Sequence, residues 1–118
     1  MQRTLMVVVA LWLLAYNSAL AYGQVRGQHL SLPSAVIPPG SPVELSWFDT
    51  PGNQQDWLTV VPVGTPDDKW GNWTYTKGRR SGTFTITNLS PGNYEARLYY
   101  NWPAGKFKVI ERLKFTIR

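Results

Sequence analysis

The chain has 118 residues, no cysteine, one histidine and a formal net charge of +5 at pH 7. This length corresponds to one domain, and the lack of cysteine excludes disulfides and thiolate metal sites, so packing alone must hold the domain together. A single histidine also excludes the His and Cys clusters that zinc requires.

The first residues predict an export signal. Arg3 supplies a positive start, residues 5–16 form an apolar run, and small residues precede position 22, which is the order of a secretory signal peptide. The alternative is a membrane anchor, but an apolar run of 12 residues is shorter than the roughly 20 that span a bilayer. We therefore predict a signal peptide over residues 1–21, no transmembrane segment after its removal, and a secreted or periplasmic protein.

Residues 22–28 have no apolar period and predict a flexible lead-in to one domain over residues 29–118. The domain opens with Leu30 and Leu32, which alternate with polar neighbours up to Pro33. Proline is tolerated at a strand edge or bulge, so we predict a first strand with a kink.

The next two strands are predicted over residues 43–48, which alternate, and over residues 56–63, which are rich in β-branched side chains. Two choices of inward face compete in the second of them. We favour Leu58 and Val60 inside, with Trp57 partly covered at the end of the domain; the alternative places Trp57 and its alternate neighbours inside.

Residues 70–76 alternate again, and the turn at residues 77–80 leads into another alternating run at residues 81–87. A turn between two such runs predicts a β-hairpin. The final strand is predicted over residues 109–117.

The turn Pro91-Gly92 precedes the clearest strand of the chain, in which Tyr94, Ala96, Leu98 and Tyr100 share one face. The position of Tyr94 after this turn matches a tyrosine corner, in which the hydroxyl bonds to backbone a few residues upstream. Together the strands predict an all-β, antiparallel two-sheet sandwich of about seven strands. The predicted core comprises Val43, Leu45, Trp47, Leu58, Val60, Phe84, Ile86, Leu89, Tyr94, Ala96, Leu98 and Tyr100.

Four segments carry a family resemblance: Asp56-Trp57 at the start of a strand, residues 73–75, residues 81–84 and residues 89–100. Their combination resembles the small immunoglobulin-like or fibronectin type III-like β-sandwich modules of secreted bacterial proteins, often C-terminal appendages of hydrolases. The resemblance implies an immunoglobulin-like sandwich and an accessory role. It implies no catalytic residues and no cofactor.

The chain offers little catalytic chemistry. A Ser-His-Asp triad would need His29, at the edge of the lead-in, and no Gly-x-Ser-x-Gly elbow is present. Asp49 and Asp56 could form a carboxylate pair for glycoside cleavage, but carboxylates that accept backbone N–H bonds in a loop are the simpler interpretation. The acidic residues around the loop at residues 49–56, and the pair Asp67-Asp68, lack the spacing of a known calcium loop. We predict that the protein is not an enzyme and binds no metal or cofactor.

The aromatic content is the strongest functional signal, because a domain of this size cannot bury all of its tryptophans and tyrosines. Exposed aromatic side chains beside arginines suit an acidic sugar or an acidic protein loop. The structural alternative is that these rings close the ends of the sandwich. We predict a binding site made of Trp73, Tyr75, Arg79, Arg80 and Trp102.

These features predict a non-catalytic secreted module for binding or adhesion, with a protein or an acidic envelope polysaccharide as its partner. One alternative is an assembly subunit that pairs through its strand edges. Another is an accessory domain that acts in trans with a secreted hydrolase. Nucleic acid is disfavoured, since basic residues on edge strands more often prevent edge-to-edge pairing.

Overall fold

The computed structural model describes residues 23–118, so the predicted signal peptide at residues 1–21 lies outside the described residues. The described part of the chain forms two sheets, and the all-β prediction is confirmed. Its nine strands are β1 (Val25–Arg26), β2 (Leu30–Leu32), β3 (Val36–Ile37), β4 (Val43–Trp47), β5 (Trp57–Pro62), β6 (Asn72–Tyr75), β7 (Gly82–Ile86), β8 (Gly92–Tyr99) and β9 (Val109–Ile117).

The first sheet has the strand order β1-β2-β4-β7, and the second has the order β3-β9-β8-β5-β6. Neighbouring strands run antiparallel, with the exception of the parallel pair β3 and β9. Within residues 23–118 no helix has the length and apolar character needed to cross a bilayer.

The predicted first strand is divided between the two sheets. Residues Leu30–Leu32 pair with β4 in the first sheet, whereas Val36–Ile37 pair with β9 in the second. Pro33 lies between them and lacks the N–H that a continuous ladder would use, so the chain changes sheets at this point. The predicted lead-in also contributes structure, because Val25 and Arg26 form β1 against β2.

All of the predicted core residues belong to one hydrophobic cluster, with Phe84, Leu89, Tyr94 and Tyr100 only partly buried. The prediction of Leu58 and Val60 as the inward side chains of β5 is correct. The cluster also contains buried side chains beyond the predicted set, namely Leu30, Leu32, Ile37, Leu113, Phe115 and Ile117.

The tyrosine corner forms as predicted. The Tyr94 hydroxyl donates a hydrogen bond of 2.7 Å to the carbonyl oxygen of Ser90. This bond ties the start of β8 to the turn that precedes it, and the Tyr94 ring stacks against Phe115 of β9 at a centroid distance of 5.7 Å.

The hairpin predicted from residues 70–76 and 81–87 is wrong. β6 pairs with β5 in the second sheet, whereas β7 pairs with β4 in the first. The turn at residues 77–80 therefore carries the chain across from one sheet to the other. Its backbone is held at the end of β4, where the Trp47 indole donates to the carbonyl oxygen of Arg79 at 3.0 Å.

The second sheet is buried on both faces around β5 and β8. Leu58 and Val60 face the core, while Trp57 and Thr59 on the opposite side of the same strand are 5 % and 0 % exposed. On β8, Tyr99 has the same outward parity as Trp57 and is also 0 % exposed. Two loops, residues 63–71 and residues 100–108, cover this outer face and build the site described next.

Candidate functional site

The loop at residues 63–71 is held on the outer face by a buried arginine. Arg97 of β8 is 2 % exposed, and its guanidinium donates to the carbonyl oxygens of Thr65 and of Pro66, the latter at 3.0 Å. Its Nε donates to Glu95 Oε2 at 2.7 Å. Because a buried guanidinium must be neutralised and fully hydrogen-bonded, this arrangement fixes the loop tightly against the sheet.

Asp67 extends the same network toward solvent. Its carboxylate accepts a hydrogen bond of 2.7 Å from Arg112 on β9, and its backbone carbonyl accepts one of 2.7 Å from the Tyr99 hydroxyl. The hydrogen bond to Asp67 raises the pKa of the Arg112 guanidinium above its usual value. The carboxylate and the carbonyl group of Asp67 both serve to hold the loop.

The loop at residues 100–108 is held by a second buried group, Asp56. This carboxylate is 0 % exposed and accepts backbone N–H bonds from Asn53 at 3.1 Å and from Asn101 at 2.9 Å. The Trp102 amide in turn donates to the carbonyl oxygen of Gln55 at 3.0 Å. Asp56 thus acts as a structural loop carboxylate, the simpler of the two interpretations offered by the sequence, and it positions Trp102.

The two loops, β5 and β6 enclose a pocket with a volume of about 160 Å³, and every residue that lines it is aromatic. We call it the aromatic pocket. Its lining residues are Trp57, Trp70, Trp73, Tyr75, Trp102 and Phe107.

The buried Trp57 ring forms the base of the aromatic pocket. Its plane lies nearly perpendicular to those of Trp73, Trp102 and Phe107, at angles of 83°, 85° and 83° with centroids 6.3–6.4 Å away. Such edge-to-face pairs are favoured because the positive edge of one ring meets the negative face of another. The walls therefore stand around the base at right angles to it.

The aromatic pocket opens to solvent beside Trp70 and Trp73. These side chains are 55 % and 45 % exposed, and Trp70 is the most exposed large apolar side chain of the described residues. The Trp70 ring lies parallel to Phe107, with an angle of 8° and a centroid distance of 6.0 Å. The exposed rings are thus anchored by contacts with other rings and hold a defined opening.

Three of the five predicted site residues, Trp73, Tyr75 and Trp102, line the aromatic pocket, whereas Arg79 and Arg80 are not among its lining residues. The two arginines lie in the turn that crosses to the first sheet, where the carbonyl oxygens of Arg79 and Arg80 accept hydrogen bonds from the Thr50 hydroxyl. The pocket itself therefore offers aromatic faces without the guanidinium donors that the prediction combined with them.

The predicted site did not include Trp57, Trp70 or Phe107, which also line the pocket. Trp57 and Trp70 are among the aromatic residues that are too numerous for a small core to bury, so the composition indicated that some of them lie near the surface. Phe107 lies between Lys106 and Lys108 in a loop, outside any alternating pattern, and no local feature of the sequence singles it out.

No family model matches the chain, and no curated protein matches it. A solved structure to which the chain is similar is that of a superoxide reductase (neelaredoxin) from Ignicoccus hospitalis. The two chains share 14% sequence identity with a TM-score of 0.47, over 85% of this chain and 87% of the other. At that level of similarity, neither the fold nor the activity of the reductase is assigned to this chain.

This finding corrects several predictions. The resemblance to immunoglobulin-like or fibronectin type III-like modules of secreted bacterial proteins is wrong, since the comparisons returned a reductase and no such module. The predictions of a non-catalytic binding or adhesion module and of a protein that is not an enzyme are withdrawn on the same finding, because the similar structure is that of an enzyme.

The carboxylates that hold the two loops of the pocket are already engaged. Within residues 23–118 no three His, Cys, Asp or Glu side chains are close enough to hold a metal ion together. Asp56 bonds to backbone amides, and Asp67 pairs with Arg112. What the site offers chemically is aromatic surface.

Proposed function

We propose that the aromatic pocket of this chain is a ligand site that holds one compact apolar group. The observation that carries the proposal is the all-aromatic lining, with a buried base at Trp57 and an open side at Trp70 and Trp73. A cavity of about 150 Å³ with apolar walls is large enough for a benzene-sized molecule, and this pocket has about 160 Å³.

The expected affinity follows from the area that such a group removes from water. Burying roughly 100 Å² of apolar surface at about 25 cal/mol per Å² contributes about 2.5 kcal/mol. A free compact group is therefore expected to bind in the millimolar range or weaker, and a larger ligand that contains it would bind more tightly.

The proposal is tested with 3,3-dimethyl-1-butanol, a small neutral probe with a compact apolar end. Titration of the ¹⁵N-labelled protein should shift the indole N–H signals of the pocket tryptophans and leave that of Trp47 in the core unchanged. Trp73→Ala should abolish the shifts. Phe48→Ala is the matched control, because Phe48 is a half-buried aromatic residue outside the lining residues. Saturable shifts that are equal in both variants, or no shifts in the unmodified protein, would contradict the proposal.

We also infer that the two sheets face each other as an immunoglobulin-like sandwich, the finer form of the fold prediction. Two observations support it. Leu45 of the first sheet and Leu98 of the second belong to one core cluster, and the order β9-β8-β5-β6 parallels the G-F-C sheet of such domains with one added strand. Nuclear Overhauser contacts between the methyl groups of Leu45 and Leu98 are expected.

Export of the protein is a further proposal, which rests on the order of charged, apolar and small residues in positions 1–21. If it is correct, the mature protein is secreted or periplasmic and begins at Tyr22. N-terminal sequencing of the exported protein tests this directly, and a retained Met1 would contradict it.

A further inference from the structure

We infer that the aromatic pocket selects a trimethylammonium group, the positively charged head found in choline. This inference rests on the proposed function and adds to it the charge and the shape of the bound group. It follows from the arrangement of the rings, from the scarcity of hydrogen-bond acceptors in the pocket, and from the tryptophan content of its lining.

The ring arrangement favours a compact group over a flat one. A planar ligand inserted between two parallel rings needs their planes roughly 7 Å apart, twice the contact distance of about 3.5 Å between carbon atoms. The parallel pairs are closer than this, with centroids 4.1 Å apart for Trp57 and Tyr99 and 6.0 Å apart for Trp70 and Phe107. Trp73, Trp102 and Phe107 instead stand perpendicular to the base, which suits a roughly spherical group.

The aromatic pocket is poor in hydrogen-bond acceptors, because five of its six lining side chains are tryptophan or phenylalanine, which carry none. A primary ammonium, which must replace its hydrogen bonds to water, would find the same lack of acceptors on entering. A fully methylated ammonium carries the same charge without N–H groups, so it avoids this desolvation cost.

The ring faces supply the attraction for a positive charge. Aromatic faces are electronegative and attract a cation that lies within about 6 Å of the ring centroid, with Trp the strongest of the three aromatic residues. Four of the six lining residues are tryptophans. A cation that contacts the faces of these rings gains attraction that an uncharged group of the same shape does not.

The net charge of the chain opposes the binding of a cation, because it is formally +5. This repulsion is long-range and is screened by salt, whereas contacts inside the pocket are screened much less. Binding of a free cation should therefore strengthen as the salt concentration rises, which is the reverse of what an ion pair with a carboxylate would show.

The experiment compares choline with 3,3-dimethyl-1-butanol, its neutral isostere, by titration of the ¹⁵N-labelled protein. Choline should bind about tenfold more tightly than the neutral probe, and its affinity should rise between low and high salt. Equal affinities would overturn this inference while leaving the proposed function intact. Absence of binding by both probes would overturn the two together.

Two variants separate aromatic faces from apolar volume. Trp73→Leu keeps an apolar wall but removes a ring, so it should weaken choline binding several-fold more than binding of the neutral probe. Tyr75→Leu is a second variant of the same kind, used if Trp73→Leu fails to fold. An equal loss for both probes would contradict recognition of the charge.

Vesicles distinguish the source of the group. If a lipid headgroup can reach the pocket, the protein should sediment with phosphatidylcholine vesicles and be displaced by free choline. Binding of free choline without sedimentation would assign the site to a soluble ligand. Sedimentation that choline does not displace would place the membrane contact elsewhere and count against the inference.

Discussion

The indole ring of Trp57 stacks on the phenol ring of Tyr99, with centroids 4.1 Å apart and planes inclined by 9°. The two residues are register partners on β5 and β8, and both face away from the hydrophobic core. Their stacking makes the outer face of the second sheet a packed surface of its own. The aromatic pocket is built on this surface, so the stability of the domain and the shape of the pocket depend on the same contact.

Replacing Trp57 by alanine should therefore destabilise the domain as a core substitution does. We expect a loss of about 3–5 kcal/mol in the free energy of unfolding, because a large buried ring is removed and its neighbours cannot fill the space. Urea denaturation followed by circular dichroism measures this loss. Trp70→Ala, at an exposed position, is the control and should cost much less. Similar costs for the two variants would contradict a packed outer layer.

Arg97→Met should destabilise the domain by about 3–5 kcal/mol, because the buried Glu95 carboxylate keeps only Arg112 as a charged partner and the carbonyl oxygens of the loop at residues 63–71 lose their donor. The double variant Arg97→Met with Glu95→Gln should recover part of this loss. Arg79→Met, at an exposed position, should be near neutral. Denaturation midpoints compare the three variants. An unchanged midpoint for Arg97→Met would contradict the proposed anchoring of the loop at residues 63–71.

Stability should fall in alkaline solution partly because of Tyr99. Desolvation by burial raises the pKa of its phenol above the usual value of about 10. The unfolded chain then ionises at a lower pH than the folded one, so this contribution is present below about pH 10 and is lost as the pH rises through the folded pKa.

Denaturation midpoints between about pH 9 and pH 11 measure this effect. Tyr99→Phe should show a shallower decline than the unmodified protein, although Tyr100, whose pKa burial also raises, retains part of the dependence. Identical slopes for the two proteins would contradict the role assigned to Tyr99.

Glu111 should be important for joining the first two strands to the second sheet. Its carboxylate accepts backbone N–H bonds from Gln28 at 2.8 Å, from His29 at 3.0 Å and from Leu30 at 2.8 Å. Glu111→Gln turns one acceptor into a donor that faces these amides, so we expect a loss of about 1.5–3 kcal/mol.

The matched control for Glu111→Gln is Glu44→Gln, at an exposed position on β4, which should leave the denaturation midpoint unchanged. Gly27→Ala tests the same contact from the other side, since a Cβ atom at Gly27 would collide with the Glu111 carboxylate. If Gly27→Ala is as stable as the unmodified protein, the carboxylate does not hold the turn in this way.

Tyr94→Phe should cost about 1 kcal/mol, the usual net value of one hydrogen bond, because it removes the bond to the Ser90 carbonyl and nothing else. Tyr75→Phe, at another half-buried tyrosine, is the control and should cost less. An unchanged denaturation midpoint for Tyr94→Phe would show that the tyrosine corner does not stabilise the domain.

The sequence alone was sufficient for most of the strands, for the inward faces of β4, β5, β7 and β8, and for the corner at Tyr94. These features are local: a period of two assigns Leu58, Val60 and Leu98 to the inner face of their strands, and the turn at Pro91-Gly92 sets the start of β8. Two of the residues that line the aromatic pocket, Trp73 and Tyr75, were predicted to lie together for a related reason, since they stand two positions apart on one strand.

Only the tertiary structure decided which strands pair and which outer face is covered. A turn such as residues 77–80 can close a hairpin or cross between sheets, and the choice depends on partners distant in sequence. That choice removed Arg79 and Arg80 from the aromatic pocket. Likewise, the outward parity of Trp57 and Tyr99 predicts exposure on a bare sheet. Both side chains are buried here because Arg97 and Asp56 hold two loops over that face. One of those loops brings Phe107 to the site.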